Sequence, residues 1–277
     1  MTALIWQHHQ WIFSRLVVPS DWPRFQFYAH RIKHFEYREA VKQQRIDASV
    51  YAEVARTRPT FVLLPTLTRL VWDTKLLNQA ILFMHPTVTQ LVVHIDEPSL
   101  DAHAFLVVAA SCLPNLTLLA IHASFPVRDV QTALLHLLGG VLQLQTVILP
   151  RYWLSSSVLS VLASLPRLEV ILWGYTTQGV GDPRDVEAFN VILPDGAFPN
   201  LNDLSLEVHL SDAEEFIRSS YFPSQIAYFS IQSLQFPSPS AVERFLTSSS
   251  TNLRSLTSTW IYLCQRTSKI FQNRHVS

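Results

Sequence analysis

Residues 111–121, SCLPNLTLLAI, carry a short phrase that the chain reuses along its length. Further copies are VLLPTLTRLVW (62–72), FMHPTVTQLVV (83–93), VLQLQTVIL (141–149), ASLPRLEVILW (163–173), AFPNLNDLSLE (197–207), YFPSQIAYFSI (221–231) and SSSTNLRSLT (248–257). An earlier copy is HRIKHFEY (30–37). The first apolar anchors are Ile32, Leu67, Val88, Leu116, Leu144, Leu168, Leu201, Ile226 and Leu253. They stand 35, 21, 28, 28, 24, 33, 25 and 27 residues apart, about 28 on average. A period of that size decides an architecture before any single motif does.

Within each phrase apolar side chains alternate, as a short strand requires when every second residue enters a core. Leu67, Leu70 and Trp72 point inward in one copy, and Leu116, Leu119 and Ile121 in another. Pro65, Pro86, Pro114, Pro166 and Pro199 stand two residues before the anchor, where a preceding helix has to stop. Between phrases, Leu76, Leu77, Ala80 and Ile81, and again Val158, Leu159, Val161 and Leu162, recur at helical spacing. Two helix starts read as capping boxes, Ser211 with Glu214 and Ser240 with Glu243. Strand, turn and helix at this period predict an α/β leucine-rich-repeat solenoid of about eight or nine irregular repeats, with parallel strands on a concave face and helices on a convex one. Residues 32–257 form the repeats in this reading, 1–31 an N-terminal cap and 258–277 an irregular tail. In the cap, Ser20 or Asp21 starts a helix carrying Trp22, Phe25 and Tyr28 on one face. The 33-residue step holds an irregular insertion, Gly174 to Asp185, readable as a partner-contacting loop or as a tolerated excursion.

Lys and Arg balance Asp and Glu at 21 each, so the chain as a whole has no electrostatic claim on nucleic acid or on an anionic membrane. The most apolar stretch, Ala104 to Ile121, is interrupted by Pro114 and Asn115, which argues against a membrane span. Only Cys112 and Cys264 are present, and MTALIWQHHQWIFSRL lacks the order of a signal peptide, so an intracellular location, cytoplasmic or nuclear, is expected. No phosphate-binding glycine loop, nucleophile elbow, H-E-x-x-H or paired C-x-x-C occurs. The expectation is therefore a binding protein with no chemistry, metal or cofactor of its own. Arg184 in GDPRD is the one candidate for a GTPase-regulating arginine. Asn115-Leu-Thr117 matches a glycosylation sequon but lies in a strand.

Strand positions facing away from the core carry the functional expectation. Arg69, Val92, His94, Leu118, Ala120, His122, Ile148, Val170, Leu172, Asp203, Glu207 and Tyr228 line the concave face, apolar in the middle and polar at both ends. Such a surface is expected to receive an apolar segment of a protein target, with Asp203 and Glu207 on one flank and Arg69, His94 and His122 on the other. A register slip of one residue would turn the apolar members inward instead.

SDWPRFQFYAHRIKHFEYRE (20–39), followed by ASVYAEVARTRPTFVLLPTLTRLVW (48–72), resembles the stretch after the F-box in the fungal family of F-box-like leucine-rich-repeat proteins. The resemblance spans roughly residues 4–260 and lies in order and punctuation. It implies a substrate-recognition subunit of an SCF-type ubiquitin ligase, whose F-box docks on the adaptor subunit while the repeats hold the target. The F-box is a helical module longer than the segment before Asp21, so LIWQHHQWIF corresponds at most to its distal remnant. Adaptor docking is accordingly expected only with an F-box upstream. A stand-alone repeat scaffold is the alternative.

Overall fold

In the computed structural model, which describes residues 4–39, 45–173, 179–235, 237–252 and 258–263, the repeated phrases up to YFPSQIAYFSI supply strands of one sheet, while the described part of the copy at 248–257 ends a helix. The strands are β1 (Leu4–Gln7), β2 (Gln10–Phe13), β3 (His34–Arg38), β4 (Arg45–Ile46), β5 (Arg69–Asp73), β6 (Gln90–Ile95), β7 (Leu118–Ala123), β8 (Thr146–Leu149), β9 (Val170–Trp173), β10 (Asp203–Val208), β11 (Tyr228–Ser233) and β12 (Ser258–Leu263). The helices are α1 (Trp22–Ala29), α2 (Ala48–Thr57), α3 (Leu100–Cys112), α4 (Gln131–Gly140), α5 (Ser156–Ala163), α6 (Leu210–Ile217) and α7 (Pro239–Asn252). Nine strands, β3 and β5 through β12, lie side by side in chain order, and every pairing between them is parallel. The chain is thus an α/β protein whose sheet grows by one strand per repeat.

Backbone geometry explains the constancy of the phrase. The carbonyl of the residue just before each strand accepts two N–H groups from the next copy: Lys33 from Thr68 and Arg69, Thr68 from Thr89 and Gln90, Thr89 from Thr117 and Leu118. The series continues through Thr117, Gln145, Glu169 and Asn202 to Ala227 and Tyr228. Polar side chains of the phrase reinforce it by reaching back one copy. Asn115 Nδ2 donates to Pro86 O at 2.9 Å, Thr117 Oγ1 to Thr89 O at 3.0 Å, Asn200 Nδ2 to Pro166 O and Gln225 Nε2 to Phe198 O, both at 2.6 Å. The Asn115 and Thr117 side chains of the sequon are both engaged in this way.

The inward positions form the core. Leu70, Leu91, Leu119, Val147, Ile171, Leu204 and Phe229 occupy one row across seven strands, and all are buried. They pack in one cluster with Phe105, Leu106 and Ala109 of α3, Leu134, Leu137 and Leu138 of α4, Val158, Leu159 and Leu162 of α5 and Phe216 and Ile217 of α6. Of the sets read at helical spacing, the one in α5 forms an α-helix, whereas Leu77–Phe83 forms a 3-10 helix, the tighter form suited to a 21-residue step.

Several local expectations shift. Ser211 is not a cap: His209 holds the N-cap position of α6, and the Ser211 hydroxyl donates to Asp212 instead. At α7 the cap is Ser238, whose Oγ accepts from the Ala241 N–H at 3.2 Å with Pro239 opening the helix, so Ser240 lies inside it. In α1 only Trp22 and Ala29 are buried, while Phe25 and Tyr28 are exposed. LIWQHHQWIF folds as an antiparallel hairpin, β1 to β2, whose two turn residues His8 and His9 both have positive φ, the backbone of a type I′ turn. The hairpin joins β4 through the pairs Gln10 with Arg45 and Trp11 with Ile46. Residues 258–263, expected in an irregular tail, continue the sheet as β12. Leu253, Cys264 and the first part of the insertion, 174–178, lie outside the described residues.

Candidate protein-binding face of the sheet

Strand pairing places the residues that face away from the helices in three transverse rows. The first runs His34, Arg69, Gln90, Leu118, Thr146, Val170, Asp203, Tyr228. The second runs Glu36, Val71, Val92, Ala120, Ile148, Leu172 and, on the far strands, Ser205 and Ser230. In the third, Arg38, Asp73, His94 and His122 follow one another, with Glu207 and Gln232 paired farther along. Because Leu119, Val147 and Ile171 are buried between these rows, the outward assignment holds and the one-residue slip does not occur.

All twelve residues expected on this face fall in the rows, yet they do not present equal surface. Val92, Leu118, Ile148, Val170 and Leu172 are half-buried and adjoin across four strands, while Arg69 and Tyr228 are exposed. Ala120 keeps only 4 % of its surface, because its short side chain lies between the larger ones of Val92 and Ile148. It forms floor rather than contact surface. Glu207, expected as an acidic flank, is 3 % exposed and already engaged.

Glu207 lies in a polar knot that closes one end of the face. Arg151 Nε approaches its Oε1 to 2.6 Å, and the Tyr152 N–H donates to Oε2 at 3.1 Å. The Gln232 amide, oriented by its neighbours, donates to Glu207 Oε1 at 3.1 Å and accepts from Arg151 Nη2 at 2.8 Å. The Arg151 guanidinium also lies 5.0 Å from the Tyr152 ring and 5.8 Å from the Trp173 ring. Tyr152 takes a positive φ of 65°, an uncommon conformation for a bulky residue, which the contacts around it hold in place. Burial pushes the Glu207 carboxyl above the usual range, against the pull of Arg151 and the Tyr152 N–H. Arg151 escaped sequence reasoning because it follows β8 and meets Glu207 from 56 positions away.

The histidines form a second polar corner. His94 Nδ1 lies 3.0 Å from Asp73 Oδ1 and its Nε2 3.4 Å from Asp96, while the His94 and His122 rings are 6.4 Å apart. Burial, with His94 beside it, holds the His122 imidazole below the ordinary histidine range. Among the described residues no group of three His, Cys, Asp or Glu side chains is placed to hold a metal ion.

Asp203 differs from both polar groups. It stands half-buried between Val170 and Tyr228, and among the described residues its carboxylate meets no hydrogen-bonding or ion-pairing side chain. Burial alone raises its pKa. A group whose folded pKa lies above its unfolded value of about 4 stabilises the fold at acid pH and loses that contribution as pH rises through the folded pKa. Asp203→Asn is therefore expected to raise the melting temperature at pH 7.5 and to leave it unchanged at pH 3.5. The gain is a few tenths of a kcal/mol once solvent screening is allowed for, and thermal scans of both proteins at the two pH values check it.

The insertion is anchored to the end of β7 and the turn that follows it. Arg128 bonds Asp182 through Nη2 and Asp185 through Nη1, at 2.5 and 2.7 Å, and the Val127 N–H donates to Asp185 at 2.9 Å. Gly179, at φ 98°, runs so close to the Ala123 carbonyl that a Cβ would lie 1.9 Å from its oxygen. Arg184 is exposed but is bound to Asp182 at 3.0 Å. Cys112, half-buried, ends α3. Among the described residues no helix is long and apolar enough to cross a membrane. No protein-family model matches the chain, and no curated protein matches it either.

Proposed function

We propose that the chain is a leucine-rich-repeat solenoid that holds a protein target on the outward face of its sheet, and that it acts as an F-box-like substrate-recognition subunit of an SCF-type ubiquitin ligase. The observation that carries the binding reading is the patch of half-buried Val92, Leu118, Ile148, Val170 and Leu172, drawn from two neighbouring rows across four strands and bordered by Arg69 at one end and Asp203 and Tyr228 at the other. An apolar strip with a polar border is the anatomy of a protein interface. The Asp203 carboxylate, without a partner among the described residues, supplies an acceptor for a basic group of the target at the edge of that strip. The ligase reading rests on the resemblance of residues 20–39 and 48–72 to fungal F-box-like proteins.

Leu118→Asp with Leu172→Asp tests the face, since two carboxylates there repel an apolar segment without entering the core. Proximity labelling and cross-linking mass spectrometry, run on wild type and on the double variant in parallel, are expected to show at least a tenfold loss of target. Adaptor and cullin subunits are expected in both samples when the bait is the full-length transcript product carrying an upstream F-box. Unchanged target capture by a folded double variant overturns the face, and the absence of adaptor and cullin from both samples overturns the ligase role.

A further inference from the structure

The helical side of the molecule has an interruption. Between β9 and β10, where a helix would return the chain, the described residues form a 3-10 turn, Pro183–Asp185, and then run on without a helix. From Phe189 to Leu193 burial alternates: Phe189, Val191 and Leu193 are buried, Asn190 is exposed and Ile192 is 85 % exposed. That is the pattern of an extended strand lying on a core.

A backbone lying on a core needs partners for its N–H and C=O groups. The Asn190 N–H finds one, donating to Ser156 Oγ of α5 at 2.9 Å. Val191, Ile192 and Leu193 make no backbone hydrogen bond among the described residues. In an extended strand the polar groups of successive residues leave opposite edges, so with Asn190 directed at α5, those of Val191 and Leu193 are directed away from it. A groove of about 470 Å³ adjoins this segment, walled by α6 and the turn after it, with Ile192, Phe216 and Tyr221 among its apolar lining. Its volume falls within the range of pockets that hold small ligands.

Charge selects the occupant. Asp212 and Glu215 line the groove, whereas its one lining cation, Arg218, is held by Glu214 at 2.7 Å. We propose that this groove binds an extended peptide that pairs with the free edge of Val191–Leu193 and places a lysine or arginine against Asp212 and Glu215. The mode is strand addition, in which main-chain hydrogen bonds supply affinity and side-chain pockets supply selectivity. This site is separate from the sheet face and does not depend on it.

The test pans the full-length protein against two eight-residue peptide libraries with alternating apolar positions, one with lysine fixed at the centre and one with glutamate. The lysine library is expected to enrich. For the best lysine peptide, Glu215→Lys is expected to weaken binding at least about fivefold, and Glu215→Gln by less. Hydrogen exchange at the Val191 and Leu193 amides is expected to slow at least about tenfold at saturation. Leu118→Asp with Leu172→Asp leaves this binding unchanged if the groove is the site. No enrichment of lysine over glutamate, unprotected Val191 and Leu193 amides, or occupation of the groove by a second copy, seen as self-association in sedimentation that Glu215→Lys abolishes, each overturns the proposal.

Discussion

Arg151→Met is expected to destabilise the fold by about 3–5 kcal/mol, because it leaves the Glu207 carboxylate buried without its counter-charge. The two side chains are 12 % and 3 % exposed, so solvent does little to replace the lost partner. Arg151→Met with Glu207→Leu is expected to recover most of that loss, since an apolar pair of similar volume carries no desolvation penalty. The Tyr152 N–H and the Gln232 amide, which lose acceptors, account for the remainder. The pH dependence has a definite sign. Burial already raises the Glu207 pKa, and without Arg151 nothing comparable opposes it. A group with a raised folded pKa stabilises below its unfolded value, about 4.3, and loses that contribution as pH rises through the folded value. The deficit of Arg151→Met is therefore expected to be largest at pH 7.5 and to shrink towards pH 4. Urea unfolding of wild type, single and double variants at the two pH values measures both effects, and an equal deficit at both would show that lost packing, not charge, dominates.

Trp72→Ala is expected to cost a similar about 3–5 kcal/mol, for a different reason. Trp72 is fully buried, and its ring lies 5.4 Å from Tyr37, 5.7 Å from Phe83, 5.8 Å from Tyr51 and 6.3 Å from Phe35. Its indole N–H donates to the Leu76 carbonyl at 3.1 Å. These neighbours come from β3, α2 and the 3-10 segment, so the ring joins the first strands to the N-terminal elements. Truncation leaves a cavity that four aromatic rings cannot fill by small shifts, and it frees an acceptor. Trp72→Phe keeps part of the volume and is expected to lose less than half as much. The loss is expected to concentrate at the N-terminal end, because each repeat contacts mainly its neighbours. Hydrogen exchange resolved along the chain checks this: protection falls in β3 and β5 and persists in β7 to β10 if stability is local, and falls uniformly if the array unfolds as one unit.

Much of the sheet was legible in the order of residues. Anchors such as Leu70, Leu119 and Leu204 alternate with outward residues at a spacing only a strand satisfies, so the inward and outward rows follow from the period of two. The outward row of Arg69, Leu118, Val170, Asp203 and Tyr228 followed for the same reason. The chain's order of phrases also became the sheet's order of strands. Short local rules were less dependable at Ser211 and Ser240, where the helix started one or two residues from the box that the sequence suggested. The aromatic face of α1 likewise depends on what lies opposite, and only Trp22 and Ala29 of that helix meet the core.

By itself, then, the sequence determined the periodic part of this protein: strand positions, which side chains enter the core, and which lie on the opposite face. Tertiary structure decided how much of that face is available. Ala120 is covered by its neighbours, Glu207 is held by Arg151, and Asp203 meets no partner among the described residues, although all three point outward from their strands. It also decided that the segment after the insertion lies beside α6, where Val191–Leu193 make no backbone hydrogen bond among the described residues. The physical reason is range. Alternation and anchor spacing act within a few residues and leave a trace in the linear order, whereas the covering of Ala120 depends on residues 28 positions away and the pairing of charges on groups 50 or more positions apart, which only the stacking of repeats brings together.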